Sequence, residues 1–446
     1  MKKIALILYI FISTKTAIVA QQQVLWTLQK CIDTALKNNI SVKQANVQSK
    51  RSAVDWQQAK SNFWPTVSFA TPLGVQLGRS INPITNSFTL SSLDYQNYNL
   101  SGSILITNWG KLTDVLKAQK NSLDAALNNE TKTKNDVTLT IIQDYLQVLL
   151  SKEQKINAGI QLEQTKKQLE IANIRFVNGK LSGLDLSQLK SQLASDSINL
   201  LSRQADYSKN TISLMSDINI PMNISFETEG IDLNANDNLL LSESPYQINK
   251  EAEKNLPQIK IDSLKIESSK MNIRAAKKAM APSLSFNYNL ASSFSNYIND
   301  QPFKQWWVDY GYQLKGNFYQ QLSISLNIPV FNNLRLRTAL NQSKLDLQNL
   351  ELQEQQDEIQ LRENIFSIYS DASFAFKKMN ESQEMVVEAE KVYNLTIKGF
   401  EIGSKDTYTL ITNQNNLAKA KEQLLENRYD YFFKTKILMF YKNGNL

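Results

Sequence analysis

The chain has 446 residues, 42% of them apolar and 20% charged, with a formal net charge of +7. It contains no histidine and a single cysteine, which removes the commonest general base, the commonest metal ligand and any internal disulfide. With no Gly-rich phosphate loop and no paired-cysteine spacing, no enzymatic, cofactor or metal site is expected, and the charge is too mild to imply nucleic acid.

The chain opens like an export signal over residues 1–20. Lys2 and Lys3 precede the apolar run from Ile4 to Ile12, and Ala20 suits cleavage. The run is too short for a membrane anchor, and no later stretch approaches the roughly 20 apolar residues of a spanning helix. Without Lys2, Lys3 and Lys15 the balance falls to 46 basic against 42 acidic residues, or +4. Cys31, in LQKCIDTAL, reads as a small buried residue at a helix start and not as a lipid attachment site.

Residues 65–78 change period. Val67, Phe69, Leu73, Val75 and Leu77 are apolar, while Thr66, Ser68, Ala70, Gly74, Gln76 and Gly78 between them are small or polar. Residues 98–106 alternate likewise, with Tyr98, Leu100, Ile104 and Ile106 against Asn99, Ser101 and Ser103. Period two with one apolar face predicts two strands, joined by a polar loop over 79–94. Residues 111–178 then hold one glycine, Gly159, and no proline. An unbroken helix of some 65 residues would reach about 100 Å, more than a globular domain requires. After a turn near Gly179, Leu186, Leu193, Leu200 and Tyr207 recur every seven residues. The neighbouring stripe is diluted by Asp196 and Arg203, which suits laterally packed helices with one wet face.

Residues 216–245 contain Pro221, Gly230 and Pro245 without a helical stripe and read as a linker or equatorial segment between repeat 1 (21–215) and repeat 2 (246–446). Two more strands follow. One carries Leu284, Phe286, Tyr288 and Leu290, the other Leu322, Ile324, Leu326 and Ile328. Their hairpin spans 282–330, as the first spans 65–106. The loop over 291–317 holds Trp306, Trp307 and Tyr310, and the two tryptophans read equally as interface anchors or loop-packing residues. Residues 333–398 have neither Gly nor Pro, and Leu410, Leu417, Leu424 and Tyr431 repeat the heptad.

The second half thus repeats the first. A shift of 224 pairs Asn108 with Asn332, Tyr145 with Tyr369, Phe176 with Phe400, Gly179 with Gly403 and Tyr207 with Tyr431. A shift of 217 pairs Pro65 with Pro282 and Phe69 with Phe286, so the hairpin inserts differ by seven residues. Four strands of about ten residues have membrane-spanning length but cannot close a barrel, and open edges are not tolerated in lipid. Several copies would have to share one barrel. Two give eight strands and a filled interior, and three give twelve and room for a conduit. The alternative is an exported coiled-coil structural or adhesive protein with surface hairpins.

The motif Arg175-Phe176-x-x-Gly179 with Asp185-Leu186, and its echo Gly399-Phe400-x-x-Gly403 with Thr409-Leu410, each precede a Leu/Ala heptad run ending in tyrosine. On these residues the chain resembles the outer membrane efflux proteins, the TolC-like family, over about residues 24–440. The resemblance implies a homotrimer with a 12-stranded β-barrel in outer membrane lipid, continued by a long α-helical barrel into the periplasm. It implies passive exit for a tripartite efflux pump or type I secretion system, with a periplasmic adaptor and an inner-membrane pump or ABC transporter as partners. The two glycine turns would be the periplasmic tips. Asp185 matches an aspartate of the family's first tip turn, Phe400 stands where tyrosine is common and Lys405 where arginine is common. These belong to the links that hold the tip shut, and a pairing of Asp185 with Lys405 across neighbouring turns is expected to contribute only about 0–1 kcal/mol. Where some members carry acidic residues at the pore tip, this chain has Thr409 and Thr412, so an acidic constriction is not implied.

Overall fold

A computed structural model describes residues 25–81, 86–233, 243–297 and 306–444. The expected export signal lies outside them, as do residues 234–242 of the linker and part of each hairpin loop.

Each half begins with two short helices, α1 (Leu28–Asn38) and α2 (Ile40–Ser61) in the first, α5 (Pro245–Asn255) and α6 (Pro257–Lys278) in the second. Each ends with a long helix and a return helix, α3 (Lys111–Val177) with α4 (Gly183–Ile218), and α8 (Arg335–Ile402) with α9 (Thr407–Asn443). The 67 residues of α3 and 68 of α8 each extend about 100 Å. Near the sheet α3 lies against α2 and α6; at the far end it lies against α4. The short helix pairs break for local reasons. Asn39 is extended (ψ 135°) and caps Ser41, while Leu256, also extended, precedes Pro257. The return helices run into these breaks. Asn39 donates to the carbonyl of Asp217 at 3.0 Å, and Asn255 donates to that of Lys442 at 2.9 Å.

Midway along α3, β1 (Leu25–Trp26) pairs in parallel with β5 (Glu227–Thr228). The Tyr145 hydroxyl sits 2.7 Å from the carbonyls of Trp26 and Glu229, and fastens this strap to the wall. Cys31 is fully buried beneath it, and burial pushes its thiol up to about 12.

The strands form one antiparallel sheet. Its members are β2 (Thr66–Ala70), β3 (Leu73–Ile81), β4 (Phe88–Thr107), β6 (Ser283–Tyr297) and β7 (Tyr319–Asn327). The lane order is β2/β3, β4, β6, β7, and the first lane is interrupted at Thr71-Pro72. Proline offers no ladder donor, which accounts for the break. The strands outrun the prediction. β4 starts at Phe88, where residues 79–94 read as loop, and β6 continues to Tyr297. The reason is that pairing persists beyond the apolar band, where serines and asparagines interrupt the apolar residues and the period-two signal fades. The 291–317 loop also contains a helix, α7 (Trp306–Gly316), which its two glycines concealed.

One face of the sheet is apolar, with rows such as Phe69–Leu100–Leu290 and Ile104–Phe286–Ile324. The other is neutral and polar, with rows Thr66–Ser103–Asn287–Ser323 and Ser68–Ser101–Asn289–Gln321. Ser103 donates to Asn287 Oδ1 at 2.8 Å, and Asn287 donates to Ser325 at 3.0 Å. At each passage from strand to long helix two consecutive residues are left-handed, Trp109-Gly110 (φ 58° and 81°) and Asn333-Leu334 (φ 52° and 61°). These positions are 224 apart, so the same strained corner is built twice, once without glycine.

Candidate functional site

The candidate site lies at the end of the helical wall farthest from the sheet, where the two glycine turns meet. In the first turn, Gly179 takes φ 70°, its N–H donates to the carbonyl of Phe176, and Lys180 N–H donates to that of Arg175. In the second, Gly403 takes φ 83°, its N–H donates to the carbonyl of Phe400, and Ser404 N–H donates to that of Gly399. Both are helix ends closed by a left-handed glycine. The return helices start with side-chain caps. Ser182 Oγ accepts from Asp185 N–H at 3.1 Å and donates to Asp185 Oδ2 at 2.5 Å. Asp406 Oδ1 accepts from Thr409 N–H at 2.7 Å, a bond that holds the Asp406 carboxyl below its ordinary range.

Arg175 joins the turns. Its Nη1 donates to the carbonyl oxygen of Phe400 at 2.5 Å, and its guanidinium stands 5.1 Å from the centre of the Phe400 ring. Phe400 is 1% exposed, among Ala172, Leu186, Leu189, Tyr393, Leu410 and Leu417. Gln168 Nε2 donates to the Tyr393 hydroxyl at 3.0 Å behind it. A Cβ on Gly403 would come 3.0 Å from Arg175 Nη2, so this glycine meets both the backbone angle and the close approach. Arg175, Phe400 and Gly403 are therefore brought together. Phe176 is not, being 43% exposed and turned toward Gly183. The Asp185 carboxylate bonds to Ser182, and Lys405 folds its side chain over Gly399; among the described residues no ion pair joins Asp185 to Lys405 within one chain. Thr409 supplies the capped N–H, and Thr412 lies half-buried on the next turn of α9.

About three turns inward, the expected wet stripe is in fact closed. Asp196 is 3% exposed and accepts from Thr165 at 2.6 Å and from Gln161 at 2.9 Å, while Gln414 donates to Thr165 at 2.8 Å. The carboxylate is buried because α3 and α4 meet it with donors, as a buried charge requires, while Gln414 of α9 bonds Thr165 beside it. Farther along, Arg203 of α4 is ion-paired with Glu422 of α9. Sequence reasoning picked out Arg175 but not its contact with Phe400. The only hint was that the 224-residue shift sets glycine, Gly399, against arginine.

The family model described as "Outer membrane efflux protein" matches residues 31–219 and again 248–433. The chain belongs to the outer membrane efflux protein family. A relative in Pseudomonas putida, the pyoverdine export outer membrane protein OpmQ, is 23% identical over 335 residues, which are 73% of this chain and 65% of that protein. Among solved structures, VceC of Vibrio cholerae superposes with a TM-score of 0.77 at 16% identity, covering 94% of this chain and 96% of that one. The CmeC outer membrane channel of Campylobacter jejuni gives 0.75 at 17% identity, covering 94% and 85%. The fold is that of these outer membrane channels, and family membership places the chain in the outer membrane.

Proposed function

We propose that three copies of this chain form one 12-stranded barrel continued by a helical tunnel, a passive exit duct for a tripartite efflux pump or type I secretion system. One observation carries the reading. The free edges of the sheet, β2/β3 and β7, continue into α2 and α8, and both helices expose an apolar heptad stripe on their way. Ile40, Val47 and Val54 are 61%, 65% and 63% exposed; Leu345, Leu352 and Ile359 are 64%, 56% and 61% exposed. Val54 and Leu345 each lie 11 residues from the sheet corners Pro65 and Leu334, Val47 and Leu352 each 18, and Ile40 and Ile359 each 25. The stripes match in height, as two surfaces must if one copy's α2 edge seats against the next copy's α8 edge. Four lanes per copy also let successive copies join antiparallel around a closed ring, which leaves no edge in lipid.

In this reading each copy contributes two internal repeats, residues 21–215 and 246–446, joined by the equatorial segment 216–245. The uncharged sheet face lines the pore and passes polar cargo of either sign. The paired glycine turns, with Arg175, Phe400, Gly403, Asp185, Lys405, Thr409 and Thr412, form the periplasmic gate. A periplasmic adaptor and an inner-membrane pump or ABC transporter complete the path. Cysteines at Val47 and Leu352 test it, because the native Cys31 is buried. Oxidation in the outer membrane fraction should give a ladder ending at three chains, and the unboiled protein should migrate as that trimer. A soluble monomer, or a ladder ending at two or continuing past three, would sink the reading.

A further inference from the structure

We propose that α7 is an interfacial helix lying in the headgroup layer of the outer leaflet, as the outer half of an aromatic girdle around the barrel. The inference rests on the membrane reading above and concerns a segment of the second hairpin to which that reading assigns nothing.

The face on which α7 packs comes first. Strand parity puts Ser292 and Phe294 on the same side of β6 as Leu284, Phe286, Tyr288 and Leu290; the pairing with β4 is unshifted from Ser285 to Tyr297, and the one shift, at Leu284, places its extra residue on β4. That is the apolar side, so α7 sits outside the barrel and not in its mouth. Several contacts hold it there. The ring of Tyr310 meets Phe294 edge-on at 4.7 Å and leaves Phe294 only 1% exposed. Ser292 Oγ donates to the carbonyl of Leu314 at 2.6 Å, and Gln313 Oε1 accepts the N–H of Ser295 at 3.1 Å. The Tyr310 hydroxyl lies 2.5 Å from that of Tyr98.

Height is the second argument. A tilted strand crosses the hydrocarbon in about 9–11 residues. Counted from Leu284, the first apolar residue of β6, the α7 contacts at Ser292 to Ser295 fall on the ninth to twelfth residues, where the strand leaves the bilayer. At the opposite end of the same band Trp64, Trp109 and Phe331 are 71%, 62% and 77% exposed, an aromatic ring at the inner interface. Bands of this kind carry aromatic girdles at both levels, because an amphipathic ring is best placed between headgroup and acyl chain.

Composition is the third. The eleven residues WWVDYGYQLKG include Trp306, Trp307, Tyr310 and Tyr312, with Lys315 in the last turn. Tyr310 is spent on the sheet, whereas Tyr312 is 80% exposed. An exposed tyrosine beside a lysine suits a phosphate-rich interface, where the ring meets acyl chain and the ammonium meets anionic headgroups.

The test uses the purified oligomer in phosphatidylcholine vesicles brominated at acyl carbons 6–7 or 11–12. The α7 signal is the fluorescence difference between the protein and its Trp306→Phe/Trp307→Phe variant. We expect quenching at least twofold stronger by the shallow bromines than by the deep ones, and little quenching by aqueous iodide. A difference signal that ignores both lipids and responds fully to iodide would overturn the inference. Ile324→Trp, placed on the apolar face in the double-variant background, separates the two claims. Deep quenching of this tryptophan with none at α7 rejects the interfacial helix alone. No quenching at either position rejects the membrane reading and the helix with it.

Discussion

The two glycine turns share one plan and carry different loads. Each closes a long helix with a left-handed glycine and opens a return helix with a side-chain cap, 224 residues apart. Beyond that they diverge. The first turn offers Arg175 where the second has Gly399, and it exposes Phe176 where the second buries Phe400. The caps are swapped as well. Ser182 is followed three residues on by Asp185, whereas Asp406 is followed by Thr409, so the carboxylate moves from the first turn of the helix to the cap itself. The two turns thus share a backbone plan, while their side chains make one turn the anchor and the other the anchored element. Within a chain, the first turn holds the second.

Exchange of the aromatics should produce the largest effect. Phe400→Ala removes a fully buried ring and should cost the tip about 3–5 kcal/mol. Phe176→Ala, at an exposed site, should cost less than about 1 kcal/mol. Amide hydrogen exchange over residues 390–415 in the purified oligomer reads both. Equal effects would mean that the turns are equivalent in the assembly. Arg175→Ala comes next. It leaves the Phe400 carbonyl without its charged donor, a loss of about 1.5–3 kcal/mol. It should loosen residues 399–404 and raise resting channel conductance. Arg175→Lys should restore only part, because an ammonium lacks the planar fork that both bonds the carbonyl and faces the ring.

This asymmetry was only partly legible in the sequence. Helices α3 and α8 declared themselves by their lack of proline, and the turns by Gly179 and Gly403, because those are local constraints. The sheet lanes declared themselves wherever one face is apolar. The contact of Arg175 with Phe400 did not, since it joins segments 225 residues apart and leaves no periodic trace. Asp196 misled for the same reason. An aspartate in a diluted stripe reads as solvated until α3 and α9 arrive with Thr165 and Gln414. Helix α7 was missed because two glycines and a run of aromatics carry no helical period, and the sheet beneath supplies the reason to fold.

Carboxylate pairs sharpen the comparison away from the tips. In the first half Asp144 of α3 faces Asp217 at the end of α4; burial, then the hydrogen bond and charge of Asp217, raise it to about 7. In the second half Asp262 is raised by burial as well, yet Gln258 donates to both its oxygens at 3.0 Å. The folded state therefore keeps a proton on Asp144 that the unfolded chain releases near the ordinary value of 3.8. The destabilisation is absent below about pH 4, grows between about 4 and 7, and is complete above. Asp144→Asn should stabilise the protein by roughly 1–2 kcal/mol at pH 8 and by little at pH 4, a figure reduced from the full shift because Asp144 keeps some access to water. Asp262→Asn should gain less. Thermal unfolding at the two pH values checks the pair of variants, and equal gains would show that Gln258 makes no difference.

The smallest effect tests whether charge across the turns matters at all. Asp185 and Lys405 occupy positions that differ between the copies, and within one chain Asp185 is occupied by Ser182. If they meet, they do so between copies, at an exposed and screened site with a coupling of about 0–1 kcal/mol. The cycle of Asp185→Ala, Lys405→Ala and the double variant, read as the closed-to-open ratio of single channels, isolates that term from the loss of the Ser182 cap. We expect a small positive coupling that shrinks as salt rises and that, in the proposed trimer, symmetry would repeat at each junction. A coupling of zero at low salt would leave the two turns tied within each chain by Arg175 on Phe400 and by the Gln168–Tyr393 bond behind it. Opening would then require each subunit to break its own Arg175–Phe400 contact.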